Sequence, residues 1–272
     1  MNKNTVLGRR RMLMCALFSM PLLTALPVQA KSEPLNIADA INKAGRQRML
    51  SQRIAKAYAQ LVLGIYPERA RTMLNNSVAL FESQLAELTA FSPTSEIRAL
   101  YRQLAEVWEP YRKSATAIAS IAGLKQVAAL NEGVLHTAHV ATLALEKQSG
   151  SAVGHLVNVS GRERMLSQRC AKFSLFRAAG LRDDAVEKGL ADARKEFESG
   201  LAELKAAPQN TLEINNQLLL ASSQWGFFVS AMNSYELGAQ NQTSLQYIAA
   251  SSDHVLEVMD ATTAMYQSIY RV

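Results

Sequence analysis

The sequence has 272 residues, 49% hydrophobic and 19% charged, with 13 glycines, 7 prolines and 2 cysteines. That composition is globular and excludes collagen-like, low-complexity and disulfide-dense classes. The formal charge of +6 is not a nucleic-acid signature: Lys3, Arg9, Arg10 and Arg11 precede residue 31 with no acid among them, leaving 25 basic against 23 acidic residues, or +2.

In chain order, residues 1–30 read as a signal peptide. A basic stretch ends at Arg9-Arg10-Arg11, an apolar run extends from Met12 to about Val28, and Val28-Gln29-Ala30 offers a small-residue cleavage site before Lys31. Pro21 and Pro27 interrupt the apolar run, which makes it short for a membrane span of about 20 residues. The expected location is the periplasm, by the general secretory or the twin-arginine route. With Met12 where a lipobox wants Leu, lipidation at Cys15 is not expected, and the mature chain keeps one cysteine, Cys170.

The remainder carries apolar residues at three- and four-residue spacing and predicts helices throughout. Gly64 with Pro67, Ser92-Pro93 and Gly123 divide the first half into helices near 36–64, 67–91, 95–122 and 125–148. Pro110 predicts a kink or a split in the third. The small-residue stretch from Ser149 to Gly154 either hinges or thins a continuous helix. Gly180 with Asp183 and Asp184, then Pro208, then Gly238 with the polar run to Thr243, divide the second half in the same way. The predicted fold class is all-α: two tandem four-helix bundles, residues 31–150 and 151–272, with helices roughly 35 to 40 Å long.

An internal repeat supports that division. Residues 42–56, Asn-Lys-Ala-Gly-Arg-Gln-Arg-Met-Leu-Ser-Gln-Arg-Ile-Ala-Lys, return 116 positions later as residues 158–172, with 11 of 15 identical. At the same offset Phe81-Glu82-Ser83 matches Phe197-Glu198-Ser199, and Trp108 and Trp225 fall at nearly equivalent places.

Ile37, Ile41, Ala44, Arg48, Ser51, Ala55, Tyr58 and Val62 form a 4-3 seam, and Val157, Ser160, Arg164, Ser167 and Ala171 form its counterpart. Each seam therefore holds an arginine, and a guanidinium cannot be neutralised at working pH and is costly to bury alone. Gly45 and Ser51 flank Arg48, and Gly161 and Ser167 flank Arg164, so a second helix can approach closely. Two such arginines would make a compact pocket for a small planar anion. The alternative is that both arginines pair with acids on neighbouring helices, such as Glu82, Glu87 or Glu106; the pattern alone leaves both open. Arg46 and Arg53 share another face and either add positive potential or lie in solvent.

The string from Ala44 to Arg53 resembles the first-helix motif of the PilJ-type sensory domain, related to the nitrate-sensing domain of NarX-type histidine kinases. The resemblance covers nearly the whole mature chain as two tandem copies. It implies a sensor module binding nitrate or nitrite through Arg48 and Arg164, with Gly45 and Gly161 as close-approach positions and Ser51 and Ser167 beside them. Two architectures follow: Arg48 faces Arg164 within one chain, or each faces its counterpart in a homodimer. Members of the family usually carry transmembrane helices and a cytoplasmic signalling module, and this sequence shows neither. Signalling is then expected to pass through an envelope receptor or kinase partner.

Rival chemistry is sparse. His136 and His139, with Glu132 one turn before, have a common spacing that makes a weak metal site, and the 116-residue offset puts Ser252 and Val255 at their places. His155 and His254 are isolated, and Cys170 replaces Ile54 as a small apolar residue. Without a glycine-rich phosphate loop or a serine elbow, a non-enzymatic protein without cofactor or metal is expected. The remaining rival is an envelope protein-interaction module without a small ligand. Trp108, Tyr111, Trp225, Phe227 and Phe228 are expected in the core.

Overall fold

The computed structural model describes residues 35–238 and 241–270; the expected signal peptide lies outside them. Among the described residues there are eight helices and no strand, and no helix is long and apolar enough to cross a membrane. They are α1 (Ile37–Leu63), α2 (Pro67–Phe91), α3 (Ser95–Ala115), α4 (Ile121–Ser149), α5 (Ala152–Ala178), α6 (Asp184–Ala206), α7 (Leu212–Glu236) and α8 (Gln242–Tyr270).

Side-chain caps start most of them: the oxygens of Asn36, Thr94, Ser120, Ser151, Asp183 and Thr211 each accept from a backbone N–H three residues on. One of these caps, Ser120, corrects an expected boundary. The third helix ends at Ala115 instead of near 122, and Gly123 lies inside the first turn of α4, its N–H bound by Ser120. Pro110 does not split α3, which runs through it. Between α4 and α5 the chain turns sharply: Gly150 takes the left-handed conformation (φ +59°) and Ser151 caps α5 at once. The link is therefore a break between two separate helices and not a thinned continuous helix.

Helices α1 to α4 form one bundle and α5 to α8 the other, and α1 and α5 pack along each other at the centre. They run in the same direction. Gly45 stands against Gly161, where a Cβ would come 3.7 Å from the Gly161 Cα, and farther along Gln52 and Lys56 meet Arg169 and Gln168. The pairings of repeat-equivalent residues describe a local two-fold axis along the α1–α5 seam.

Each bundle also has its own aromatic core. Phe81 stacks on Trp108 with ring centroids 3.8 Å apart and Phe197 on Trp225 at 3.9 Å, and Tyr111 or Phe228 sits edge-on to the tryptophan. Each such pair contributes about 0.5–1.5 kcal/mol beyond the area it buries. Phe227, expected in the core, is instead 65% exposed: its neighbour Phe228 takes the inward position, and adjacent residues on a helix point about 100° apart.

Candidate functional site: the paired-arginine layer

Both seam arginines are completely buried. The close approach of α1 and α5 is what makes room for them to reach across, since a Cβ at Gly45 would lie 3.3 Å from Arg48 Nη2 and 3.5 Å from Arg164 Nη2. Gly161 stands in the same relation, 3.2 Å from Arg164 Nη2 and 3.8 Å from that of Arg48. The chain therefore brings Arg48 and Arg164 together within itself.

Each guanidinium is held by the opposite helix. Arg48 Nη2 donates to Asn158 Oδ1 (2.6 Å) and to the Asn158 carbonyl (3.2 Å). Arg164 Nη2 donates to Asn42 Oδ1 (2.8 Å) and the Asn42 carbonyl (3.2 Å). Glu146 of α4 and Gln267 of α8 orient the two asparagines by accepting from their amide nitrogens. Nε of each arginine is buried without a partner among the described residues.

The symmetry fails at the second terminal nitrogen. Arg164 Nη1 meets the carboxylate of Asp260, which also takes a bond from Arg46 Nη2 (3.0 Å). Arg48 Nη1 meets His139 Nδ1 instead (3.2 Å). The guanidinium can only donate, so Nδ1 accepts and the imidazole is neutral with its proton on Nε2. Among the described residues no carboxylate lies within 4 Å of Arg48. Glu82, Glu87 and Glu106, the acids considered from sequence, partner neither arginine; Glu87 bonds Lys43 and Glu82 lies 3.4 Å from Arg112.

Electrostatics follow the geometry. Burial, reinforced by the positive charges of Arg162 and Arg164, lowers Arg48 to about 9. Burial also lowers Arg164, to about 10, with Asp260 acting against it. His139 falls to about 4 through burial and the neighbouring Arg48. At Asp260 burial works upward, but Arg164 and Arg46 outweigh it and hold the carboxyl below its usual range. The layer therefore holds two buried guanidinium groups, with the Asp260 carboxylate directly on Arg164 and Glu146 reaching Arg48 only through Asn158.

Ser51 and Ser167 are buried close by, but their hydroxyls donate to the carbonyls of Arg48 (2.7 Å) and Arg164 (2.9 Å) on their own helices, not toward the guanidinium groups. Cys170 is buried, and burial pushes its thiol up. Glu163 replaces Gln47 in the second copy and is buried with neither carboxylate oxygen hydrogen-bonded. Burial pushes it well above the usual carboxylate range, so it is held as the neutral acid, a near-isostere of the glutamine that donates to the Phe81 carbonyl (3.1 Å) in the first copy.

About two turns further along, buried lysines cross between the bundles. Lys56 of α1 binds Asp253 (2.8 Å) and Ser252 Oγ (2.7 Å) on α8. Lys172 of α5 binds Glu132 (2.7 Å) and Asn131 Oδ1 (2.8 Å) on α4. These pairs and the identical lengths of α4 and α8 set the equivalence between those helices at 121 positions, not 116. The counterparts of His136 and His139 are accordingly Glu257 and Asp260, not Ser252 and Val255. Sequence reasoning missed Asn42, Asn158, Lys56 and Lys172 as site-forming residues, although all four are identities of the repeat.

The sequence matches the family described as type IV pili methyl-accepting chemotaxis transducer N-term, PilJ, over residues 32–132 and again over 143–254. No curated protein and no solved structure matches the chain. The two matched segments span most of its length and carry one arginine layer between them, so the chain belongs to the PilJ family of sensory domains.

Proposed function

We propose that this is an exported, non-enzymatic binding protein that senses a small planar anion, nitrate or nitrite, at the paired-arginine layer and relays occupancy to a partner in the cell envelope. The carrying observation is that Arg48 is fully buried with, among the described residues, no carboxylate within 4 Å, whereas Arg164 has Asp260. A buried charge lacking its counter-ion is strongly unfavourable, and an anion is the species that removes the cost. A trigonal oxyanion would take the positions now filled by Asn158 Oδ1 and Asn42 Oδ1, accepting fork-like hydrogen bonds from both Nη2 groups. With one unpaired guanidinium, one anion binds per chain. Arg48 and Arg164 hold it, and Gly45 and Gly161 keep the floor free of side chains. Ser51 and Ser167 fix the backbone from which the arginines project.

Calorimetry of the purified protein with nitrate, nitrite, chloride and sulfate tests this. The expected result is saturable, one-to-one binding of nitrate or nitrite that Arg48→Ala and Arg164→Ala each abolish. Absence of heat and of thermal stabilisation at millimolar anion would overturn the reading.

A second observation favours a protein partner. The outer face of α7 exposes Leu212, Leu219 and Phe227 at 72%, 60% and 65%, with Tyr247 of α8 exposed nearby at 63%. An apolar stripe of this kind suits a docking surface. It would serve a sensor that relays its state, and equally an interaction module with no small ligand, the reading that remains if no anion binds.

A further inference from the structure

A separate cleft of about 610 Å³ opens between α4, α5 and the start of α6, within the range of small-molecule sites. One difference between the repeats lies at its edge. In the first copy Arg69 extends from α2 and closes on Asp253 at 3.2 Å, completing a cluster with Lys56. In the second copy the residue at the equivalent position of α6 is Ala185, and no side chain reaches Glu132 from that helix; Glu132 is left with Arg169 (2.9 Å) and Lys172 (2.7 Å) of α5. The space that a guanidinium fills in one half is open in the other.

The lining has two characters. The inner part is apolar, formed by Phe173, Phe176 and Val186. Phe173 is fixed there because Gly189 of α6 leaves room for its ring, which a Cβ at that position would overlap at 2.5 Å. The polar part is cationic. Lys172 Nζ lies 3.9 Å from the Phe173 ring centroid and the Arg169 guanidinium 4.7 Å from it, while Lys125 and Arg182 stand at the exposed rim. Two acids face these four cations. Glu132 is shared between Arg169 and Lys172, and Asp183 is engaged as the cap of α6, accepting from the Val186 N–H at 2.8 Å. Among the described residues neither Lys125 nor Arg182 has a carboxylate within 4 Å.

From this charge excess over an apolar floor we infer that the cleft binds a small carboxylate with an apolar body, of the size of octanoate or phenylacetate. The carboxylate lies toward Lys125 and Arg182 and the hydrocarbon against Phe173 and Phe176. The site uses none of the paired-arginine residues.

The test is calorimetric titration of the purified protein with octanoate below its micellar range, with phenylacetate, and with hexylamine as the oppositely charged amphiphile. Saturable binding of a carboxylate is expected, weakened at least tenfold by Ala185→Arg, which restores the side chain of the first copy at an exposed helical position, and several-fold by Arg182→Glu on the surface. Nitrate titrations of the same variants should match the parent, which separates this site from the arginine layer. Carboxylate binding undiminished in both variants, binding of hexylamine alone, or no binding of any of the three would overturn the inference.

Discussion

If the missing carboxylate at Arg48 is what makes this layer an anion site, supplying one should close it. His139→Asp does so with a geometry the protein already contains, because Asp260 reaches Arg164 from the equivalent position of α8. A hydrogen bond to a charged group contributes about 1.5–3 kcal/mol when buried. Asp260 is 47% exposed at its side chain, and solvent screening reduces the figure to about 1–2 kcal/mol. That gain should raise the melting temperature of the ligand-free protein by about 2–8 °C for a chain of this size. The same carboxylate must be displaced or tolerated by an incoming anion, so nitrate binding should weaken by about 5- to 30-fold. Differential scanning calorimetry and isothermal titration on one preparation read both quantities. A raised melting temperature with unchanged nitrate affinity would place the anion elsewhere. A lowered melting temperature would mean that Glu146, acting through Asn158, already compensates Arg48 and would remove the basis of the argument.

Gly45→Ala brings a methyl within 3.3 Å of Arg48 Nη2; the guanidinium can shift and the helix gains about 0.5–1 kcal/mol of propensity, so thermal stability should hold while anion affinity falls severalfold in titration. Glu163→Gln should raise stability, most of all at alkaline pH. A carboxyl raised in the folded state stabilises fully below its unfolded value and loses that contribution as pH climbs through its folded one, so the melting temperature of the parent should decline above about pH 4.3 and that of the variant decline less. Lys56→Met leaves Asp253 buried with Arg69 at 3.2 Å and Arg53 at 3.9 Å; breaking a buried pair costs about 3–5 kcal/mol, and these remaining cations put the loss at the lower end, read as a drop of about 6–12 °C by calorimetry.

The helices and the arginine seam were legible because their signals are local. Breakers and caps sit within a few residues of each helix end, and the motif of α1 and α5 repeats with little change. The α3 boundary was misread because Gly123 looks like a terminator, whereas Ser120 three residues earlier is a cap that makes Gly123 part of the next helix. Asp260 and His139 were hidden for a different reason. They are unlike residues at equivalent positions, and the extra residues before α8 shift the register to 121, so a search at the offset of the motif passes over them. Asn42 and Asn158 did carry a signal: both head the repeat, each six residues before the arginine of its own helix, while each serves the arginine of the opposite helix. Their role becomes visible only once α1 and α5 are known to lie side by side.

The crossed lysines bear on how such a protein can diverge. Lys56 finds its acid on α8 and Lys172 finds its acid on α4, so each half completes the interior of the other and neither is self-sufficient. Two identical subunits joined this way would carry every substitution twice, and an acid lost beside one arginine would be lost beside both. A tandem gene escapes that constraint. One copy can keep Asp260 against Arg164 while the other has His139 beside Arg48, so two halves that share a motif come to surround their arginines differently.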